Sequence, residues 1–230
     1  MTPLVLLPGM MCDARLFTPQ IAAFSAKRAV QIAPLTQHAN MTALAQSVLD
    51  NAPPHFALAG LSMGGIVAME IMRIAPERVV RLALIDTNPK AELPEVRARR
   101  QPQIAKVRAG ELRTVMRDEM KPNYLSDGPN LGAILDLCMA MSESLGPEVF
   151  ELQSLAIQSR IDQQDTLRKI TVPTLILCGE DDSLCPPERH HLMHELISDS
   201  TLSIIPRAGH LPTLEQPELT NEALTQWLKR

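Results

Sequence analysis

Short apolar runs alternate along this chain with segments in which apolar residues recur at helical spacing. The apolar runs are bounded by Pro, Gly or polar residues and predict strands; they cover residues 4–7, 29–33, 56–59, 79–85, 174–178 and 201–205. The periodic segments predict helices over residues 18–26, 40–50, 66–72, 187–197 and 217–228. Strands that alternate with helices indicate an α/β fold, with a doubly wound and mainly parallel sheet of about six strands.

The alternation stops between residues 88 and 168. This stretch contains no strand pattern, and repeated Pro and Gly residues break it into several helical pieces. We therefore predict a core built from residues 1–87 and 169–230, with residues 88–168 inserted as a separate helical layer.

Residues 60–65, Gly-Leu-Ser-Met-Gly-Gly, lie between a predicted strand and a predicted helix. A serine between two glycines on such a turn is the pattern of a nucleophile elbow. The turn is so tight that side chains at positions 60 and 64 would collide with neighbouring backbone, which explains the glycines. The pattern predicts a strained Ser62 whose hydroxyl stands clear of the sheet.

A nucleophilic serine needs a base, and the base needs an acid that orients it. His210 follows the last predicted strand directly, so we expect it at the sheet edge where Ser62 lies. His190 and His194 share a helix face without an acidic or cysteine partner, which favours a solvated face over a metal site. The acid is left open at this point; the candidates after strand ends are Asp86, Glu180, Asp181 and Asp182.

Composition narrows the classes of function. The chain has 230 residues, 45% of them hydrophobic, and a net charge of −4, which gives no indication of a nucleic-acid partner. No apolar run reaches the length of a membrane span, and the first residues lack the pattern of a signal peptide. The four cysteines are widely spaced, which disfavours a zinc site or a disulfide framework and fits a cytoplasmic location.

Four blocks of sequence, in this order and on these strands, resemble the α/β-hydrolase superfamily. They are residues 6–13, the elbow at 60–65, residues 179–186 and residues 208–218. The resemblance implies a small, capped esterase or lactonase in which residues 88–168 form the cap. It also implies that Asp182 is the acid, because Asp182 lies three residues after a glycine and four before a proline; Asp86 stays the alternative.

The resemblance further implies an oxyanion hole. One donor is the backbone N–H of Met63, and the other comes from the loop after the first strand, where Pro8-Gly9-Met10 stands. A histidine is common before this glycine in the family, and Pro8 replaces it here. Met10 N–H is therefore the second donor that we expect, with Met11 as the alternative.

The implied activity is a serine hydrolase that cleaves a carboxylic ester, lactone or thioester of a small molecule through Ser62, His210 and Asp182, without a metal or organic cofactor. Alternatives on the same fold are a carbon–carbon bond hydrolase, a cofactor-free haloperoxidase, a lyase and a non-catalytic binder. The oligomeric state stays open.

The first part of residues 88–168 is basic. Its cationic residues favour a solvated helix face, and attraction of an acidic substrate is the functional alternative; they are Arg97, Arg99, Arg100, Lys106, Arg108, Arg113 and Arg117. Arg160 and Asp162 are expected to form an ion pair near the return to the core.

Overall fold

A computed structural model describes residues 1–122 and 124–230, together with the backbone of residue 123. Its sheet has six strands, all parallel, in the order β2-β1-β3-β4-β5-β6. The strands are β1 (Leu4–Leu7), β2 (Val30–Ile32), β3 (Phe56–Leu61), β4 (Val79–Ile85), β5 (Thr174–Gly179) and β6 (Ser200–Ile205). The predicted doubly wound sheet of about six strands is confirmed.

Helices connect the strands on both faces of the sheet. They are α1 (Thr18–Phe24), α2 (Met41–Asn51), α3 (Met63–Ile74), α4 (Pro94–Arg108), α5 (Leu112–Thr114), α6 (Leu131–Gln158), α7 (Gln164–Leu167), α8 (Pro187–Leu196), α9 (Pro212–Glu215) and α10 (Pro217–Lys229). Short 3₁₀ turns cover Ala14–Phe17, Pro76–Arg78 and Lys121–Asn123, and a π-helical turn covers Val115–Met120.

The central strands are buried on both faces, as expected for a parallel sheet covered by helices. In β3, Phe56 and Leu58 pack into the core layer that contains α2 and α3. Ala57, Ala59 and Leu61 point the other way, into the layer that contains α1 and α10. This alternation follows from the two-residue period of a strand and explains why the run has no polar position.

All six strands deliver their carboxyl ends to one edge of the sheet, because they are parallel. The loops that follow β1, β3, β4, β5 and β6 therefore meet there. A crevice outside the carboxyl ends of the strands is the usual ligand site of such sheets.

Residues 88–168, which we call the helical insertion, join β4 to β5 and contain α4 to α7. Within the described residues the insertion has no strand, as predicted. Its longest helix, α6, has a kink at Gly146, where φ is 82° directly before Pro147. No described helix has both the length and the apolar character that crossing a membrane requires.

Candidate active site

Ser62 occupies the turn between β3 and α3. Its backbone has φ 55° and ψ −113°, a strained conformation for a residue that is not glycine. A Cβ added at Gly60 would lie 2.2 Å from the Gly64 carbonyl oxygen, and one added at Gly64 would lie 2.1 Å from the Leu7 oxygen. The predicted steric need for glycine at both positions is confirmed.

Hydrogen bonds from the neighbouring strand loop hold this turn. Ser62 N–H donates to Ile85 O at 2.9 Å, and Thr87 Oγ1 donates to Ser62 O at 2.7 Å. Thr87 N–H in turn donates to His190 Nε2 on α8 at 3.1 Å. The Ser62 backbone is therefore fixed by β4 and, through Thr87, by a helix that follows β5.

His190 is fully buried, so the solvated face predicted for it is wrong. Helical spacing cannot tell which face of α8 meets the sheet when the helix is this polar. Burial lowers the His190 pKa to about 4, and its ring is therefore neutral at pH 7 and accepts the Thr87 N–H. His194 is partly buried and its Nδ1 lies 2.7 Å from Ser200 Oγ.

His210 lies in the loop after β6, and its side chain contacts both Ser62 and Asp182. Its Nε2 is 2.9 Å from Ser62 Oγ, and its Nδ1 is 2.8 Å from Asp182 Oδ2. An ionised carboxylate only accepts hydrogen bonds, so Nδ1 carries the ring proton. Nε2 of the neutral ring is then an acceptor, and the Ser62 hydroxyl donates to it.

Asp182 lies in the loop after β5 and is almost completely buried. Burial alone would raise its pKa, but the charge and hydrogen bond of His210 and the N–H of Cys185 lower the Asp182 pKa to about 2. Its Oδ1 accepts hydrogen bonds from the N–H groups of Leu184 at 2.8 Å and Cys185 at 3.0 Å. Asp182 is therefore a carboxylate with partners for both oxygens.

Asp86, the alternative acid, makes a different contact. It is fully buried at the end of β4, and its Oδ1 accepts the Gly179 N–H at 2.9 Å. Burial, together with the charge of Asp182, raises the Asp86 pKa well above its usual value. The structure thus brings Asp182, and not Asp86, into hydrogen-bonding distance of His210; Glu180 and Asp181 are exposed.

The loop that carries His210 is held by one carboxylate and by the helical insertion. Glu215 on α9 accepts the N–H groups of Gly209, Leu211 and Ser126, all at 2.8–3.0 Å. His210 N–H donates to the Tyr124 carbonyl at 2.6 Å. These bonds fix the backbone on both sides of the imidazole.

The loop after β1 lies beside Ser62. Met11 N–H donates to Gln153 Oε1 of α6 at 2.8 Å, and Gln153 Nε2 donates to Leu35 O at 2.9 Å. Within the described part of the chain, the N–H groups of Met10 and Met63 donate to no protein group. Met63 is the first residue of α3, where N–H groups have no partner inside the helix.

A cavity of about 620 Å³ opens onto Ser62 and His210. It lies between the core loops and the helical insertion, which contributes Leu93, Arg99, Tyr124 and Arg160 among others. Cys12 and Cys185 also line it.

Asp182, Cys185 and His210 form the one group of metal-ligating side chains found among the described residues, with ligand atoms within 4.8 Å of each other. The Asp182 and His210 atoms are already joined by a hydrogen bond. Burial, with the nearby charge of Asp182, raises the Cys185 pKa, and a protonated thiol is a poor metal ligand. Asp182 and His210 therefore serve as hydrogen-bond partners of each other, and Cys185 donates its backbone N–H to Asp182.

Three residues around the site were missed from sequence: His190, Gln153 and Glu215. Each is a polar side chain with a partner from a distant segment; His190 and Gln153 are buried, and Glu215 is partly buried. Glu215 is the one with a local signal, because it lies five residues after His210 in the same loop–helix unit.

Comparisons with known proteins agree with this architecture. A pimeloyl-(acyl-carrier protein) methyl ester esterase of Klebsiella pneumoniae is 28% identical over 240 residues, covering 96% of this chain and 91% of the relative. The structure of a thermophilic esterase from Thermogutta terrifontis, with malate bound, matches with a TM-score of 0.91 at 28% identity, covering 100% of this chain and 90% of that chain. An enol-lactonase from Burkholderia xenovorans has the same fold, with a TM-score of 0.88 at 20% identity over 100% of this chain and 92% of that one.

A family model described as the alpha/beta hydrolase family matches residues 4–223. That range includes all six strands, the elbow, the helical insertion and the loops that carry Asp182 and His210. The chain belongs to the alpha/beta hydrolase family.

Proposed function

We propose that this protein is a serine esterase in which Ser62 is the nucleophile, His210 the general base and Asp182 the orienting acid. The observation that carries this proposal is the hydrogen-bonded chain from Ser62 Oγ through His210 to Asp182, beside a cavity at the carboxyl edge of the sheet. Ester hydrolysis is the activity named for the Klebsiella and Thermogutta proteins, which are each 28% identical to this chain.

In the proposed first step, Ser62 Oγ attacks the ester carbonyl while His210 Nε2 takes the hydroxyl proton. Asp182 keeps the other ring proton on Nδ1 and stabilises the imidazolium that forms. Its low pKa keeps it charged throughout the neutral range, which this role requires.

The carbonyl oxygen becomes negative in the tetrahedral intermediate. We propose that Met10 N–H and Met63 N–H donate to it, because Met11 N–H is already used by Gln153. The amino end of α3 adds a favourable field at the same point.

Collapse of the intermediate breaks the bond to the alcohol, which receives its proton from His210 and leaves an acyl group on Ser62. His210 then removes a proton from water, the hydroxide attacks the acyl carbon, and Ser62 leaves with that proton as the carboxylic acid is released.

We propose that the helical insertion acts as the cap over this chemistry. Its residues line the cavity together with Ser62 and His210, so substrate bound there would be shielded from bulk water.

Four free thiols, at Cys12, Cys138, Cys178 and Cys185, are consistent with the cytoplasmic location that the cysteine spacing predicts.

The activity named for a similar protein indicates which ester substrates to test first. The Klebsiella relative covers more than nine tenths of both chains and acts on a methyl ester, so we propose an alkyl ester of an acyl chain as the substrate class to test first. Lactones and thioesters use the same acyl-enzyme and follow in the same panel.

A panel of p-nitrophenyl esters with increasing acyl length tests the proposal, measured with the wild type and with Ser62→Ala. We expect hydrolysis in the wild type, a fall of at least about 10³-fold in kcat for the variant, and labelling by a fluorophosphonate in the wild type alone. Ser25→Ala, at an exposed serine after α1, is the matched control and keeps both activities. Hydrolysis and labelling that survive in Ser62→Ala would refute the proposal.

A further inference from the structure

Basic residues outnumber acidic ones in the lining of the cavity. Five basic residues line it, and Glu92 is the single acidic residue of the described lining; the basic ones are Lys90, Arg99, Arg100, Arg160 and Arg189. The whole chain has a net charge of −4. Positive charge is therefore concentrated at the cavity against the overall charge of the protein.

Only part of this charge is neutralised inside the protein. Arg100 Nη2 lies 2.7 Å from Glu92 Oε1, and Arg160 Nη1 lies 3.6 Å from the same oxygen. Arg160 is mostly buried, and its pKa is lowered by that burial and by the charges of Arg100 and Arg189. Two guanidinium groups, those of Arg100 and Arg160, thus share one carboxylate.

Arg189 and Arg99 have no counter-charge. Among the side chains that the structure describes, neither guanidinium forms a hydrogen bond or an ion pair. The basic residues further along the insertion differ, because Lys106 pairs with Glu119 at 2.7 Å and Arg117 with Asp118 at 2.6 Å, facing solvent. The solvated face predicted for the basic segment therefore applies to Lys106 and Arg117, whereas Arg99 and Arg100 line the cavity, Arg99 as an exposed residue and Arg100 as a partly buried one.

Apolar side chains share the cavity with these arginines. Leu93 is 55% exposed, and Val96 and Leu184 are each 37% exposed. A ligand that covers them would bury apolar surface while its charged end meets a guanidinium, which binds carboxylate and phosphate through two parallel hydrogen bonds.

We propose that the cavity selects esters that carry an anionic oxygen group, a carboxylate or a phosphate, away from the scissile carbonyl, and that Arg189 and Arg99 bind this group. The inference rests on the proposed ester hydrolysis at Ser62. It adds a substrate class and two specificity-determining residues, Arg189 on α8 of the core and Arg99 on α4 of the insertion.

Matched methyl esters test the proposal. Monomethyl adipate carries a carboxylate, and methyl 5-phosphonopentanoate carries a phosphonate that stands in for a phosphate. Methyl hexanoate is the neutral ester of the same chain length. We expect kcat/KM to be at least about tenfold higher for one of the anionic esters than for methyl hexanoate. We expect this ratio to fall about tenfold in Arg189→Gln or Arg99→Gln. The anionic ester with the larger ratio shows whether the site prefers a carboxylate or a phosphate.

Arg97→Gln is the matched control, because Arg97 is exposed on the same helix as Arg99 and does not line the cavity. It should keep the wild-type ratio. Equal kcat/KM for the charged and neutral esters, or a ratio unchanged by Arg189→Gln and Arg99→Gln, would overturn the proposal.

A binding measurement separates this inference from the esterase proposal. Calorimetric titration of monomethyl adipate and of methyl 5-phosphonopentanoate into Ser62→Ala protein needs no turnover. Binding of either ester that weakens about tenfold or more in Ser62→Ala/Arg189→Gln supports the anion site even if Ser62 proves not to be the nucleophile. Binding of neither, or binding that is insensitive to Arg189, contradicts it.

Discussion

The charge state of Asp182 depends on its partners more than on its burial. Asp86 and Asp182 are both buried, yet the Asp86 pKa is raised and the Asp182 pKa is lowered to about 2. The difference arises because His210 and two backbone N–H groups stabilise the Asp182 carboxylate, whereas Asp86 accepts a single backbone N–H. The pKa values of these two carboxyl groups are therefore shifted in opposite directions.

This difference predicts opposite outcomes for two isosteric substitutions. Asp182→Asn removes the charge that orients and stabilises His210, and we expect kcat to fall by about 10⁴-fold. Asp86→Asn replaces a carboxyl group whose pKa is raised by burial and by the charge of Asp182, and it keeps an acceptor for the Gly179 N–H, so kcat should change by less than about tenfold. Steady-state kinetics of both variants, with thermal unfolding as the control for folding, make the comparison. The reverse order of effects would place the acid at Asp86.

Sequence alone could not choose among the four acids after the strand ends, since all of them reach the same edge of the sheet. The choice of Asp182 came from family spacing. In the structure, His210 Nδ1 faces Asp182 because the side chain of Asp182 turns back under its own loop to accept the Leu184 and Cys185 N–H groups. That turn depends on backbone geometry, which residue types do not reveal.

Among the elements, α8 links the sheet to the nucleophile turn. His190 on its buried face accepts the Thr87 N–H, and Thr87 holds the Ser62 carbonyl. The neutral ring that makes this bond has a pKa of about 4, well below the usual value of 6.5 for histidine. The groups that also affect its charge are Asp182, His210 and Arg189.

This buried histidine predicts a specific dependence of stability on pH. The unfolded chain takes up a proton at His190 near pH 6.5, but the folded chain does so only near pH 4. Unfolding therefore becomes easier as pH falls through this window, by up to about 3 kcal/mol from this residue. The stability is fully present above pH 6.5.

Chemical denaturation between pH 7.5 and 4 measures the effect. His190→Gln should show a smaller loss of unfolding free energy across the window than the wild type, because it lacks the titrating ring. His191→Gln, at an exposed neighbour on α8, should follow the wild-type curve. Parallel curves for wild type and His190→Gln would show that His190 titrates normally.

The strands were predictable because a buried parallel strand is an uninterrupted apolar run bounded by turn residues. All six lie within three residues of their predicted bounds, and β1 and β4 match them fully. The faces of α8 were not predictable in the same way. That helix has polar residues all round, so its pattern does not show that His190 points into the core.

For the molecule as a whole, the helical insertion and the core share one hydrogen-bond network at the site. Gln153 of α6 is 1% exposed and joins Met11 N–H to the Leu35 carbonyl. Tyr124 O accepts the His210 N–H from the other side. The insertion therefore positions both the loop that would supply an oxyanion donor and the loop that carries the base.

Gln153→Leu tests this dependence. The substitution keeps a side chain of similar size but leaves the buried Met11 N–H without an acceptor, at a cost of about 1–3 kcal/mol in unfolding free energy. We also expect kcat to fall by about tenfold or more, because the neighbouring Met10 N–H is no longer held in place. Fluorophosphonate labelling should slow in parallel, since phosphonylation places negative charge on an oxygen in the same position.

Gln158→Leu is the matched control on α6. Its longer contacts, 3.4 Å to Arg97 O and 3.5 Å to Gln101, stay within the helical insertion. It should leave kcat and labelling near wild-type values. If Gln153→Leu lowers stability yet leaves kcat and labelling unchanged, Gln153 is structural and does not position the loop.

Exchange of the helical insertion for the equivalent segment of another protein would change more than the shape of the cavity. In this protein a chimaera that receives a foreign segment loses the acceptor for Met11 N–H and the donor to the Leu35 carbonyl, unless the graft places a glutamine at the position of Gln153. A graft that also lacks the Tyr124 carbonyl contact would leave the His210 loop unsupported. Residues that line the cavity can therefore be exchanged one at a time while these hydrogen bonds are kept. Exchange of the whole insertion would break them.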